Sequence, residues 1–230
     1  MLKRVFITGA NSGVGYELAK QYILRGDDVA LFDLHFSEQT KQRLTKLADF
    51  CQYVEFFAIR TCDIETLQIQ VNNAIAAIGK PELAIECSSF CIESSEQLTQ
   101  KHSLVSHHFA TVITPYLEMN SHLALTAPIT EPTKFSLNPA LLLLSKKLRL
   151  KLKPSNIKVS LVCTNKAHST DVNSAKIAKH MLHSLDKQKL MVILGLQSKL
   201  TYIMSRYLPN WIMGSIMDRL IKQQLIRTTR

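Results

Sequence analysis

The chain has 230 residues, enough to bury a substantial core in one domain, and its 46% hydrophobic and 20% charged residues are those of a globular protein, not a disordered or fibrous one. No run of about eighteen apolar residues occurs and the opening MLKRVFITG is apolar too briefly for a secretory signal, so the expected location is the cytosol unless a membrane surface holds the chain. Lys plus Arg exceed Asp plus Glu by 28 to 18, and this net charge of +10 suggests an anionic partner.

In chain order, KRVFIT reads as a short buried strand. GVGYELAKQYILRG follows with helical spacing through Val14, Leu18, Tyr22 and Ile23, closed by Gly26. DVALFD is the second strand and SEQTKQRLTKLADF the second helix, with Ser37 as its N-cap. QYVEFFAI and IETLQIQVNNAIAAIG are the third pair, ending at Gly79, and PELAIECSS is the fourth strand. A long helix is expected from about Glu93 to Met119, then HLALTA as the fifth strand. PALLLLSKKLRLKLK, IKVSLVC, DVNSAKIAKHMLHSLDK and KLMVILG complete the series as helix, strand, helix and strand. This alternation predicts an α/β fold: a single-domain, Rossmann-type doubly wound parallel sheet of about seven strands with helices on both faces. Residues 1–198 form the dinucleotide-binding domain in this reading, and 199–230 a C-terminal amphipathic helical extension of it.

TGANSGVG, Thr8 to Gly15, follows the first strand and opens the first helix, where a doubly wound sheet holds the pyrophosphate of a dinucleotide. Gly9 permits the tight turn, Gly13 lets the backbone approach phosphate, and Gly15 lets helix pack on strand. Asn11, Ser12 and Val14 complete the expected cradle. Asp33 closes the second strand, where its carboxylate accepts hydrogen bonds from both ribose hydroxyls of NAD and repels the 2′-phosphate of NADP. Neither Leu34 nor His35 is an arginine that would neutralise that phosphate, so NAD is favoured over NADP. The competing reading of Asp33 is an N-cap or a solvated strand end.

On these residues the chain resembles the short-chain dehydrogenase/reductases. TGANSGVG has that family's glycine spacing, CDI (Cys62 to Ile64) is similar to its adenine-contacting Asp and hydrophobe at Asp63 and Ile64, and RLKLKPSNIKVSLV is similar to the segment joining its active-site helix to the sixth strand. The resemblance implies hydride transfer between a nicotinamide and an alcohol or carbonyl carbon.

Departures from the family fall where the chemistry belongs. Its Tyr-x-x-x-Lys pair, spaced to share one helical face, maps onto Lys134 and Asn138. Pro139 suits a first helical turn, with Asn138 as N-cap, so that helix is expected to start too late to present such a pair. The only Tyr-x-x-x-Lys, Tyr16 to Lys20, belongs to the first helix. The family's carbonyl-polarising serine falls near Thr126 and Ala127, and a threonine hydroxyl at 126 retains the chemistry for that hydrogen bond. Its asparagines appear as Glu86 after the fourth strand and His107 in the next helix, and its Pro-Gly after the sixth strand as Thr164 and Asn165.

No other motif offers chemistry of comparable specificity. Cys51, Cys62, Cys87, Cys91 and Cys163 contain no CxxC pair and read as reduced, mostly core thiols, with a nucleophile at Cys87 or Cys91 the less common alternative. His180 and His183 stand at i, i+3 without an HExxH pattern, and the adjacent His107 and His108 face different sides of a helix, so no metal site is expected. The basic block Ser145 to Lys158 and the basic tail lack interleaved aromatics and read as solvated faces, which disfavours nucleic acid. Ile212, Met213, Ile216, Met217, Leu220 and Ile221 form the stripe of an amphipathic helix begun at Pro209. Core or lid packing, a homo-oligomer interface and an anionic membrane surface compete to cover it. The expectation is therefore a nucleotide-binding pseudoenzyme, sensor or partner-binding module; an oxidoreductase with rebuilt acid/base groups and a scaffold without nucleotide are the alternatives.

Overall fold

Val, Ile, Leu and Phe dominate seven short segments, and apolar character on both sides of a strand is what a sheet covered on both faces requires. The computed structural model describes residues 2–59, 63–87, 95–129, 139–165 and 171–194, with Lys199 and Tyr202. Its strands are β1 (Arg4–Thr8), β2 (Asp28–Asp33), β3 (Val54–Ala58), β4 (Leu83–Glu86), β5 (His122–Ile129), β6 (Lys158–Asn165) and β7 (Met191–Ile193). All pair in parallel in the order β3-β2-β1-β4-β5-β6-β7. The order reverses between β1 and β4, which opens a crevice at their carboxyl ends.

The helices are α1 (Gly13–Leu24), α2 (Glu38–Thr45), α3 (Ile64–Ile78), α4 (Ser95–Ile113), α5 (Pro139–Leu152) and α6 (Asp171–Asp186). One core layer joins the sheet to α3, α4 and α5 through residues such as Phe6, Phe32, Val71, Phe109 and Leu148. The other joins it to α1 and α6 through Ile7, Leu18, Ile23, Leu31 and Met181. Burying each such Leu, Ile or Phe contributes about 1.5–3 kcal/mol, so the alternating faces of the strands fix both layers. Arg25, just after α1, donates to both carboxylate oxygens of Asp186 at the end of α6 and ties these helices together.

Some element limits differ from the sequence pattern. Ser37 caps α2 as expected, accepting from Thr40 N–H at 3.1 Å, but the helix stops at Thr45, beyond which Leu47 N–H and Ala48 N–H turn to the carbonyls of Leu44 and Thr45. The long fourth helix ends at Ile113 and tightens into a 3-10 turn at Thr114–Tyr116, where Pro115 has no amide to continue it. β5 runs through Pro128 to Ile129, opposite Thr164 and Asn165 of β6, so the loop expected after Ala127 begins later. The amphipathic helix expected from Pro209 lies outside the described residues. Among the described residues no helix is long and apolar enough to cross a membrane.

Candidate functional site

The turn from β1 into α1 lies at the crevice. Gly9 has φ +69 and Gly13 φ +59, conformations that a side chain disfavours. Gly15 is required for another reason: a Cβ there would sit 2.1 Å from the Gly9 carbonyl oxygen and 2.7 Å from its carbonyl carbon. At Gly13 no described atom lies within 4 Å of the Cβ position, so the chain there borders open space. Exposed Ser12 is the N-cap of α1 but gives it no side-chain hydrogen bond, and the first turn holds no acidic residue. The first intrahelical bond shown is Tyr16 N–H to Ser12 C=O, 3.3 Å. Amides of Gly13, Val14 and Gly15 thus precede the helical ladder, at the positive end of the helix dipole, and an anionic oxygen suits that position. Val14 itself turns inward and is buried.

Asp33 closes β2 beside this turn. Its Oδ2 accepts from Asn11 N–H at 2.8 Å and its Oδ1 from Leu34 N–H at 2.7 Å. Burial raises its pKa above the usual carboxylate value, and the two amide bonds and nearby His35 offset part of that rise. Asn11 Oδ1 in turn accepts from Ser37 N–H at 3.5 Å, so the glycine turn, the end of β2 and the cap of α2 form one assembly. A carboxylate has about four lone-pair sites and these two amides use one per oxygen, which leaves acceptor capacity for hydroxyl donors.

Asp63 is the N-cap of α3. Its Oδ1 accepts from Glu65 N–H at 3.1 Å and Thr66 N–H at 3.4 Å, and its Oδ2 from the Thr66 hydroxyl. The resemblance assigned Asp63 to adenine; its capping bonds give it a structural reason to be present as well. Ile64, the first residue of α3, is 39% exposed, an apolar surface at this edge of the sheet. Cys62 lies outside the described residues.

The other end of the crevice is arranged differently from the family pattern. Glu86, wholly buried at the end of β4, accepts from Ser106 Oγ at 2.9 Å and Thr126 Oγ1 at 3.2 Å. Thr126 is buried, and its hydroxyl donates to Glu86 from within the core. Ser106 of α4 is buried and reaches Glu86, while His107 is exposed. Cys87 is buried, and its N–H donates to Thr8 Oγ1 at 3.0 Å, joining the ends of β4 and β1. Cys163 is also buried, and burial pushes its thiol up to about 12.

Pro139 is the first residue of α5, whereas Lys134 and Asn138 lie outside the described residues, as does Cys91. Tyr16 and Lys20 are on α1. His180 and His183 are both exposed on α6, and among the described residues no group of three or more His, Cys, Asp or Glu is gathered as metal ligands would be.

No protein-family model and no curated protein matches the sequence. Solved structures match its fold. A short-chain dehydrogenase from Streptomyces avermitilis has TM-score 0.69 at 16% identity, covering 100% of this chain and 99% of its own. LigD in its apo form, from Sphingobium sp. strain SYK-6, has TM-score 0.69 at 16% identity, covering 86% and 91%. A short-chain dehydrogenase/reductase from Burkholderia phymatum, solved in complex with NAD, has TM-score 0.64 at 16% identity, covering 84% and 88%. The chain therefore has the short-chain dehydrogenase/reductase fold.

Proposed function

We propose that this short-chain dehydrogenase/reductase-fold chain binds a nicotinamide dinucleotide at the carboxyl ends of β1 and β2, preferring NAD(H) to NADP(H), and serves as a nucleotide-dependent sensor or partner-binding module without the family's proton-transfer chemistry. The observation that carries the reading is Asp33, held beside the glycine turn by Asn11 N–H at 2.8 Å and Leu34 N–H at 2.7 Å. A carboxylate so fixed offers acceptors to ribose hydroxyls and opposes an added phosphate. The positive-φ turn at Gly9 and Gly13, the uncapped start of α1 and the open space at Gly13 fit a pyrophosphate. The Burkholderia phymatum structure in complex with NAD supports the same choice of ligand.

When bound, the dinucleotide supplies a hydride donor or acceptor. This chain's own part is to bind and orient it: α1 directs amides at the phosphates, Asp33 fixes the ribose, and Asp63 with Ile64 borders the adenine end. Proton transfer to a substrate oxygen has no tyrosine to perform it. Lys134 and Asn138 stand where the family has Tyr and Lys, and Thr126 donates to Glu86. An NADH titration followed by nucleotide fluorescence tests the reading. Saturable binding lost in Gly13→Val supports it, and no binding by the unaltered protein returns the chain to a nucleotide-free scaffold.

A further inference from the structure

The amino-terminal ends of β1, β4 and β5, at the opposite end of the sheet from the nucleotide crevice, border a cavity of about 250 Å³. His122, the first residue of β5, lines it and is 6% exposed. Its Nε2 meets Ser160 Oγ at 2.7 Å, and Ser160 gives its own hydroxyl proton to the Lys189 carbonyl, 2.5 Å away. Nε2 must therefore carry the ring proton and donate it to Ser160, which leaves Nδ1 a bare acceptor. Burial, and then Lys3, lower the pKa of this ring to about 4, so it is neutral near pH 7. Nδ1 has no partner among the described residues, yet it is not one of the sealed polar atoms that lack one, so it opens to the cavity that His122 lines. Three carboxylates also reach this cavity, each already opposed by a cation: Glu82 by Arg4 at 3.7 Å, Glu118 by Lys80 at 3.0 Å and Asp186 by Arg25 at 3.0 Å. Lys3, on the same wall, has no ion-pair partner among the described residues; Asp27 engages its backbone N–H at 2.9 Å, not its ammonium. One ammonium and one buried acceptor thus stand unanswered inside a ring of carboxylates.

We propose that this cavity binds a small zwitterion of the α-amino-acid class, with its carboxylate on the Lys3 ammonium and its own ammonium donating to His122 Nδ1 beside the rim carboxylates. A simple anion would answer Lys3 but bring no donor to His122, and it would meet three carboxylates. A simple amine would answer His122 but leave Lys3 unpaired beside it. One molecule that carries both groups satisfies both, through charge-assisted hydrogen bonds. A metal ion is not the occupant, since among the described residues no group of three or more His, Cys, Asp or Glu is gathered to hold one. Leu83 and Leu185, both buried, line the cavity and offer an apolar wall to an aliphatic side chain. The volume lies below the range of about 300–1,000 Å³ usual for drug-sized ligands, which suits a molecule as small as a free amino acid. This site is separate from the nucleotide crevice and does not depend on nucleotide binding.

The test is isothermal titration calorimetry of the full chain with L-leucine, with leucinamide, which lacks the carboxylate, and with N-acetyl-leucine, which lacks the ammonium. Leucine should bind saturably, and each analogue about tenfold or more weakly. Lys3→Met should weaken leucine about tenfold and leave leucinamide unchanged, because only the carboxylate meets Lys3. NADH should not displace leucine, since the two sites lie at opposite ends of the sheet. No heat with leucine at millimolar concentration, an analogue that binds as tightly as leucine, a leucine affinity untouched by Lys3→Met, or displacement by NADH would each overturn the proposal. Lys3 is partly exposed and its bond to Asp27 is made by the backbone, so circular dichroism and melting of the variant should match the parent chain. The comparison of analogues uses the unaltered chain and decides the matter even if the variant folds poorly.

Discussion

A side chain on Gly15 would begin 2.1 Å from the carbonyl oxygen of Gly9, so the first turn of α1 and the turn leaving β1 touch backbone to backbone. Gly15→Ala must displace one of them. Overpacking of this kind costs about 1–3 kcal/mol and moves the amides expected to face phosphate. Gly13→Ala meets no steric neighbour among the described residues but must hold φ +59, at a cost of about 1–2 kcal/mol. Thermal denaturation should rank Gly15→Ala below Gly13→Ala, and NADH binding should be lost in the former.

This contact shows why the glycine spacing was readable in advance: each glycine meets a backbone requirement that sequence position alone specifies. The parallel sheet covered by helices followed from strict alternation of strands with helices. What escaped were features set by tertiary packing. α2 ends at Thr45, where the backbone tightens to bonds three residues back, although helix formers Lys46, Leu47 and Ala48 continue beyond it. Ser106, not His107, faces Glu86, a register within α4 that a helix with apolar residues on several sides leaves open. Asp63 as the cap of α3 was legible in the pattern of Asp before an apolar-periodic run.

Acidification should destabilise the protein through His122. This residue begins β5, is 6% exposed, and its Nε2 pairs with Ser160 Oγ at 2.7 Å. Burial, with Lys3 nearby, moves its pKa from 6.5 down to about 4. The unfolded chain then binds the proton more readily than the folded one, so stability is full above about pH 6.5 and is lost as pH falls toward about 4. The loss by pH 5 is about 2 kcal/mol. His122→Gln should flatten that part of the stability profile measured by urea denaturation; an unchanged slope would assign it to other groups.

Thr126 separates a structural hydroxyl from a catalytic one. Thr126→Val removes a donor from wholly buried Glu86, and leaving such a carboxylate less satisfied costs about 1–3 kcal/mol. Urea denaturation should register that loss while NADH affinity stays within about twofold, since a buried hydroxyl bonded to Glu86 does not face the nucleotide. A drop in turnover of a carbonyl substrate without loss of stability would give Thr126 a catalytic part.

Turnover itself should be absent. Loss of a general acid typically costs about 10² to 10⁴ in rate, and the family resemblance places Lys134 where a tyrosine would supply that group. NADH oxidation with ketones, aldehydes and 3-oxoacyl thioesters should be undetectable. Lys134→Tyr with Asn138→Lys should not restore it while Pro139, a residue suited to a first helical turn, follows both positions. Robust turnover abolished by Lys134→Met would establish rebuilt chemistry.

The central claim is that Asp33, fixed by Asn11 and Leu34, reads the ribose of a bound dinucleotide. The most direct measurement is the ratio of NADH to NADPH dissociation constants in the parent chain and in Asp33→Ala. Binding at this site predicts tighter NADH than NADPH in the parent and a ratio drawn toward one in the variant, which loses both the hydroxyl acceptors and the charge opposing the 2′-phosphate. Equal affinities in the parent, or a preference untouched by the substitution, would contradict the account.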